Sequence, residues 1–225
     1  MQSVEKCIDV KYSEIKKKPV VDSKGVTLGN INDFVFSIEN NRLVPKSIMV
    51  GGSRLEELLE SLGLRPDEDP IFSVDNIDVI GEDKVTLKVD GETLCSTLCE
   101  NIFAENDRKL SQISKAKVID SDGFKIGKVI DVWFDDDAQV WLLLGGGFIE
   151  ETLEKIGVQP DIDLIAGPKD IDVFTDEEIK LKWTRFQLES NCEKDYDRLK
   201  RQLASRDKPK DYKYAQLRLG PSHSQ

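Results

Sequence analysis

Two stretches of the chain repeat each other, and this duplication limits the fold more than any other feature of the sequence. Residues 19–37 align with 117–135 with 7 identities in 19 positions, and residues 51–89 align with 145–183 with 16 identities in 39. The offset changes from 98 to 94 residues between Ser37 and Gly51, where a loop tip tolerates an insertion. The chain therefore contains two units of the same fold, each of about 75 residues.

Each copy alternates short β-rich runs with turn residues and contains one helical pattern. The Asp22–Gly25 segment predicts a tight turn, and the pair Asn40-Asn41 predicts a hairpin turn, because Asn tolerates left-handed backbone geometry. Ser53 is a candidate N-cap for a helix that ends at Gly63. Its apolar stripe consists of Leu55, Leu58, Leu59 and Leu62. We predict a mostly β fold of two tandem small antiparallel β-barrels, each with one inserted helix, plus a C-terminal helical or extended tail.

The repeat also sets the predicted domain boundaries. We expect a lead-in over 1–12, a first barrel over 13–90, a linker over 91–112, a second barrel over 113–189 and a basic tail over 190–225. The tail carries nine Lys or Arg and five Asp or Glu, so its net charge is +4, whereas the preceding residues have a net charge of −15. A short amphipathic helix is predicted near 193–205.

Composition excludes several classes of function. The net charge of −11 argues against a protein that coats DNA or RNA. The single histidine, His223, argues against a His-based triad or a His-rich metal site. The N-terminal residues lack the apolar run of a secretory signal, and no run approaches the roughly 18 apolar residues of a membrane span. Few cysteines argue against a disulfide framework, so we expect a cytoplasmic protein without a membrane span.

Candidate chemical sites are weak when each is compared with a structural explanation. The turn at Asp120–Gly123 lacks the oxygen ligands of a calcium loop, because Phe124 stands where a ligand is needed. Cys95, Cys99 and Cys192 lack a fourth zinc ligand and are better explained as packed thiols. The exposed-face pairs Glu56-Glu57 and Glu150-Glu151 and the glycine turns before each helix also fit structural roles. We therefore predict no enzyme activity, no cofactor and no metal.

Three large apolar residues favour partner binding. Strand alternation directs Phe34 and Phe36 inward, so Val35 and its counterpart Trp133 are expected to point outward. Trp141 stands where the first copy has Ser47. Outward apolar groups indicate an interface with the other barrel or with a partner. A β-bulge that returns these residues to the core is the alternative.

The tail supplies the other candidate binding residues. Tyr196, Leu199 and Leu203 lie on one face of the predicted helix, and Tyr212 and Tyr214 follow it. Such a segment could dock on the chain's own acidic barrels, on a partner protein or on anionic lipid, or it could be a tail without a role.

The signature residues of the repeat resemble those of a known family. They are Asp22, Gly25, Gly29 and Asp33 in the first copy and Asp120, Gly123, Gly127 and Asp131 in the second. This pattern resembles the PRC-barrel domain, and the tandem arrangement is similar to archaeal two-barrel proteins of the CdpB type. The resemblance implies PRC-type barrels and a cell-division factor that associates with the membrane-anchoring protein SepF, and so with the FtsZ ring.

We therefore expect a non-catalytic adaptor in archaeal cell division, located in the cytoplasm at the division site. The resemblance implies a SepF-like adaptor or another PRC-barrel protein as partner, and we expect a homo- or hetero-oligomer that binds no DNA. The alternative is an RNA-processing or ribosome-maturation factor, by analogy with the PRC-barrel protein RimM, whose barrel meets a ribosomal protein.

Overall fold

A computed structural model describes residues 10–64, 70–98, 103–135, 139–157, 163–204 and 216–218. The side chains of 202–204 and 216–218 lie outside the described part. The chain divides into two compact units. Unit 1 comprises Met1–Ser111 and Trp133–Val140, and unit 2 comprises Gln112–Val132 and Trp141–Gln225.

The strands of unit 1 are β1 (Val10–Lys11), β2 (Pro19–Val21), β3 (Thr27–Glu39), β4 (Arg42–Gly51), β5 (Ile71–Ser73), β6 (Ile77–Ile80), β7 (Val85–Leu87) and β8 (Asp107–Lys109). All of them except β1 form one sheet in the order β5-β4-β3-β2-β7-β6, with β8 added against β3. The helices are α1 (Tyr12–Ile15), α2 (Ser53–Ser61), α3 (Gly91–Ser96) and, at the unit boundary, α4 (Leu110–Ile113).

Unit 2 has the same strand order, β12-β11-β10-β9-β14-β13, and β15 is added beyond β12. The strands are β9 (Lys117–Ile119), β10 (Lys125–Phe134), β11 (Val140–Gly145), β12 (Asp163–Ala166), β13 (Ile171–Phe174), β14 (Glu178–Leu181) and β15 (Gln216–Arg218). The helices are α5 (Phe148–Lys155) and α6 (Arg185–Ala204). The mostly β fold of two repeated sheets with inserted helices and a C-terminal helix is therefore confirmed.

The hairpin between β3 and β4 forms where the sequence predicts it. Asn40 and Asn41 have φ values of 51° and 61°, the left-handed pair that a tight hairpin turn needs. The predicted N-cap is one residue off, because α2 begins at Ser53 and its N-cap is Gly52, without a side-chain hydrogen bond. Leu55 and Leu59 of α2 are buried as expected, whereas Leu62, just beyond the helix, is 48% exposed.

Two features differ from a purely antiparallel closed barrel. The first and last strands of each repeat pair in parallel, β2 with β7 and β9 with β14. Parallel pairing requires a long connection, and here the other strands and the inserted helix of the repeat lie between the two paired strands in the chain. The hydrogen-bonded ladder of unit 1 also stays open between β5 and β6, both of which are described. The 3-10 turn at Val74–Asn76 separates these strands, so they pair with β4 and β7 and not with each other.

Segments outside the repeats add to unit 1. The stretch predicted as a linker contains α3 and β8, and β8 pairs with β3 at Val35↔Lys109. The last two residues of β10 also belong to this unit, where Trp133 and Phe134 pair with β1. The ring of Phe134 lies 5.3 Å from that of Phe34 and 6.2 Å from that of Phe36, which extends the aromatic core.

Candidate functional site: an aromatic–arginine cluster in unit 2

The signature aspartate of each repeat connects its turn to the helix that follows the last strand. In unit 2, Asp120 Oδ1 accepts hydrogen bonds from the backbone N–H groups of Asp122 (2.9 Å) and Phe124 (2.8 Å). Its Oδ2 accepts one from the N–H of Arg185 (2.9 Å), the first residue of α6. Asp120 is fully buried, so these three bonds replace the water that its carboxylate loses.

Unit 1 has the same arrangement. Asp22 Oδ1 accepts from the N–H groups of Lys24 (2.9 Å) and Val26 (2.8 Å), and Oδ2 accepts from that of Gly91 (3.0 Å), the first residue of α3. In both units the signature aspartate therefore holds its turn against the first residue of the helix. Because the carboxylates of Asp22 and Asp120 accept backbone hydrogen bonds, their role is structural.

The signature glycines allow two backbone segments to approach closely. A Cβ at Gly29 would collide with the carbonyl oxygen of Gly51, and its distance to the carbonyl carbon of Gly51 would be only 2.8 Å. A Cβ at Gly127 would lie 2.7 Å from the carbonyl oxygen of Gly145. Both glycines therefore pack the long strand against the turn that begins the inserted helix, and side chains of any size would separate them.

The Asp120 turn and the start of α6 place a cation close to two exposed aromatic rings in unit 2. The guanidinium carbon of Arg185 lies 4.5 Å from the ring centroid of Phe124 and 5.0 Å from that of Phe186. Phe124 is 52% exposed and Phe186 is 67% exposed, which is unusual for phenylalanine. We refer to Phe124, Arg185 and Phe186 as the aromatic–arginine cluster.

Local structure explains how the cluster is held. Thr184 caps α6 through reciprocal bonds, because its N–H donates to Gln187 Oε1 (2.9 Å) and its hydroxyl accepts from the Gln187 N–H (3.3 Å). Arg185 is held by its N–H bond to Asp120, and Phe124 follows the tight turn at Gly123, which has a φ of 89°. Hydrogen bonds to Asp120 thus fix the backbone positions of Phe124 and Arg185.

The first repeat lacks this cluster. The counterparts of Phe124, Arg185 and Phe186 are Val26, Gly91 and Glu92. The turn instead carries an exposed ion pair between Lys24 Nζ and Asp90 Oδ2 (2.7 Å). The pairing lowers the pKa of Asp90 below its usual range, through hydrogen bonds from Lys24 and from Thr93. The two units share a framework and differ in the surface that it presents.

The cluster has the chemistry of a recognition site. Aromatic residues and arginine are enriched where protein interfaces concentrate their binding energy. Within the described part of the chain no carboxylate forms an ion pair with the Arg185 guanidinium, whose fork geometry matches a carboxylate. Two exposed rings beside a cation fit a partner segment that joins an apolar side chain to an acidic one.

Val35 and Trp133 are not the exposed surface residues that alternation predicts. They are 1% and 5% exposed, and both lie on strands with an additional paired neighbour, β8 at Val35 and β1 at Trp133. The register of β3 and β4 also shifts between Val35 and Phe36, so the bulge alternative applies there. Neither side chain is available to a partner in this structure.

Trp141 is half-buried within unit 2. A Cβ at Gly167 would lie 2.6 Å from the Trp141 ring atom Cζ3, so the indole packs directly over this glycine. The glycine leaves room for the ring, and Trp141 contributes to the packing between β11 and the end of β12.

The tail helix docks on its own unit. The helix α6 begins at Arg185 rather than near 193, as the Thr184–Gln187 capping pattern could have predicted. Tyr196 and Leu199 are 8% and 4% exposed, and the Tyr196 hydroxyl donates to the carbonyl oxygen of Gly157 (2.9 Å). Leu203 lies in α6 but its side chain is outside the described part, and Tyr212 and Tyr214 lie outside the described residues.

The described cysteines are packed thiols. Burial raises the pKa of Cys192 to about 12, with the carboxylates of Asp195, Glu189 and Glu193 adding to the shift, and burial also raises the pKa of Cys95. Cys192 lines a small apolar crevice with Ile126, Ile149 and Leu188. Among the described residues no group of three or more His, Cys, Asp or Glu is arranged to hold a metal ion.

Comparison with known proteins identifies the fold of both units. The family model for the PRC-barrel domain matches residues 8–94 and again residues 105–176, so the chain belongs to the PRC-barrel family and carries two copies of the domain. No curated protein matches the chain. In the described ranges, no helix combines the length and apolarity that crossing a bilayer requires.

Proposed function

We propose that the chain is a non-catalytic protein–protein adaptor of the archaeal cell-division apparatus. It works in the cytoplasm at the division site, self-associates, and binds a SepF-like adaptor or another PRC-barrel protein. The aromatic–arginine cluster is the partner-binding site, and a partner contributes an apolar side chain and a carboxylate to it. The division role rests on the resemblance to tandem archaeal PRC-barrel proteins.

The observation that carries the adaptor proposal is the exposure of the cluster. Burying an exposed Phe side chain contributes about 1.5–3 kcal/mol, so two half-exposed rings offer roughly 2–3 kcal/mol together. A desolvated carboxylate on Arg185 adds a charge-assisted hydrogen bond. These are the contributions expected of an interface hot spot, and the rigid backbone bonds around Arg185 reduce the entropy lost on binding.

The hydrogen bonds of the signature aspartates support a role without catalysis. Asp22 and Asp120 are the buried carboxylates that both repeats share at the turn, and each accepts three backbone hydrogen bonds. A general base needs a carboxylate that can reach a substrate proton. Groups occupied in this way stabilise a fold and leave binding to the surface residues.

Affinity purification of the tagged protein from its native host tests this proposal. We expect co-purification of a SepF-like protein or another PRC-barrel protein. The double substitution Phe124→Ala and Phe186→Ala should weaken binding of the purified partner by about 30-fold, equivalent to about 2 kcal/mol. Val26→Ala is the matched control, since it alters the counterpart turn in unit 1 and should leave binding unchanged.

Two results would contradict the proposal in different ways. Recovery of ribosomal proteins without a division protein would reject the cell-division role and favour ribosome maturation. Equal partner binding by the double variant and the control would reject the aromatic–arginine cluster as the binding site, whichever partner is found.

A further inference from the structure

The chain provides a strand of its own to one sheet edge of unit 2. The C-terminal strand β15 pairs in parallel with β12, in the register Asp163↔Gln216, Leu164↔Leu217 and Ile165↔Arg218. This edge would otherwise present unpaired backbone groups, which proteins commonly cover. The edge strand β12 therefore accepts an extended segment from the basic tail.

The strand β5 is the repeat counterpart of β12, and its outer edge has no paired strand among the described residues. Ile71 corresponds to Ile165 and Phe72 to Ala166 at the offset of 94. The strand β5 pairs with β4 on one side and forms one end of the sheet of unit 1. Among the described residues, the equivalent edge is thus paired in unit 2 and unpaired in unit 1.

The register shows which backbone groups β5 presents. The N–H of Val50 donates to the carbonyl oxygen of Pro70 (3.2 Å), so Pro70 and, two residues on, Phe72 direct their backbone polar groups to β4. The N–H and C=O of Ile71 then face the open side. The missing N–H of Pro70 does not interrupt this edge, because that residue faces inward to the ladder.

Charge favours the same kind of occupant on both edges. The described residues 163–172 around β12 contain three carboxylates and one cation, and the described residues 70–78 around β5 contain two carboxylates and no cation. The segment 208–218, which ends in β15, contains four cations and one carboxylate. A basic extended segment therefore suits the β5 edge at least as well as the β12 edge.

We propose that the open edge of β5 binds an extended basic segment of a partner protein by parallel strand addition. Backbone hydrogen bonds to Ile71 would supply the affinity, and the surrounding carboxylates would select a basic segment. The described tail strand of this chain pairs with β12, and the proposed occupant of β5 is a segment of another molecule. This inference goes beyond the adaptor proposal and does not use the aromatic–arginine cluster.

The probe is a fluorescent peptide with the sequence of residues 208–219, titrated into the full chain and followed by fluorescence anisotropy. We expect saturable binding that Ile71→Pro weakens at least tenfold, because proline removes the outward N–H on an edge strand without breaking the ladder to β4. Ile71→Ala is the matched control, since it keeps the N–H, and should change affinity less than threefold.

Hydrogen exchange on the unsubstituted protein gives a second measurement that does not depend on folding of a variant. The amide of Ile71 should gain protection when the peptide is added, and a peptide with Lys and Arg replaced by Glu should give none. Absence of saturable binding, equal affinity of the Ile71→Pro variant, or protection at residues 163–166 instead of Ile71 would each overturn the proposal.

Discussion

Removing one acceptor oxygen from Asp120 should release α6 from the turn of unit 2. An asparagine offers one carbonyl oxygen, so it can serve either the turn amides of Asp122 and Phe124 or the Arg185 amide, but not both groups. The NH2 group of the asparagine would also face a backbone N–H group, and two donors cannot form a hydrogen bond with each other. The two bonds that remain would no longer be charge-assisted.

The magnitude follows from these losses. A hydrogen bond to a charged group contributes about 1.5–3 kcal/mol, and a buried amide without a partner costs about 1–3 kcal/mol. We expect Asp120→Asn to destabilise unit 2 by about 3 kcal/mol, a roughly 150-fold change in the unfolding equilibrium. Partner binding should weaken as well, because Arg185 would lose its fixed backbone position.

Urea unfolding and hydrogen exchange of the Arg185 amide provide the assay. The exchange of this amide should accelerate strongly in the Asp120→Asn variant. Asp22→Asn is the matched control, because it removes the equivalent bond to Gly91 and should destabilise unit 1 while partner binding persists. A loss of less than about 0.5 kcal/mol, the size of an ordinary surface substitution, would refute the reasoning.

Three further substitutions or reactions test the packing of the two units. Gly29→Ala should lower the free energy of unfolding, measured in urea, by about 3 kcal/mol or more because its Cβ collides with Gly51. Gly25→Ala is the control, since Gly25 has open space and a φ of 83°, and it should cost about 1 kcal/mol. Equal costs would contradict the close approach of Gly29 to Gly51. Burial raises the pKa of Cys192 to about 12, so only about one molecule in ten thousand carries the thiolate at pH 8. Alkylation of Cys192 in the folded protein, followed by mass spectrometry, should therefore be at least about 100-fold slower than that of an exposed thiol. Fast alkylation would show that Cys192 is not buried. Leu199→Ala should lower the free energy of unfolding by about 3 kcal/mol, and an unchanged stability would mean that α6 does not pack on unit 2.

The duplicated pattern predicts much of the framework because its signals are local. Asn40 and Asn41 adopt the left-handed geometry that a hairpin requires, and the two repeats have the same strand order. The burial of Val35 and Trp133 could not be predicted from strand alternation. The strands that pair beside them, β8 and β1, are two or three residues long and lie outside the repeat, so they have no periodicity that a sequence pattern could reveal.

The aromatic–arginine cluster is not predictable from the repeat for a related physical reason. The residues that the two copies share, such as Asp22 and Asp120, hold the fold together. The aromatic–arginine cluster lies where the copies differ, since Val26 stands in place of Phe124. The capping pair Thr184 and Gln187 was the available signal, because it places Arg185 at the start of a helix.

Site-specific photo-crosslinking tests the central claim most directly. A benzoylphenylalanine placed at Phe124 reports any protein that comes within a few ångströms of the aromatic–arginine cluster, and the same probe at Val26 reports on the counterpart turn of unit 1. The adaptor account predicts a crosslink to a division protein from position 124 and none from position 26. Crosslinks of equal yield from both positions, or none from position 124 while the partner still co-purifies, would contradict it.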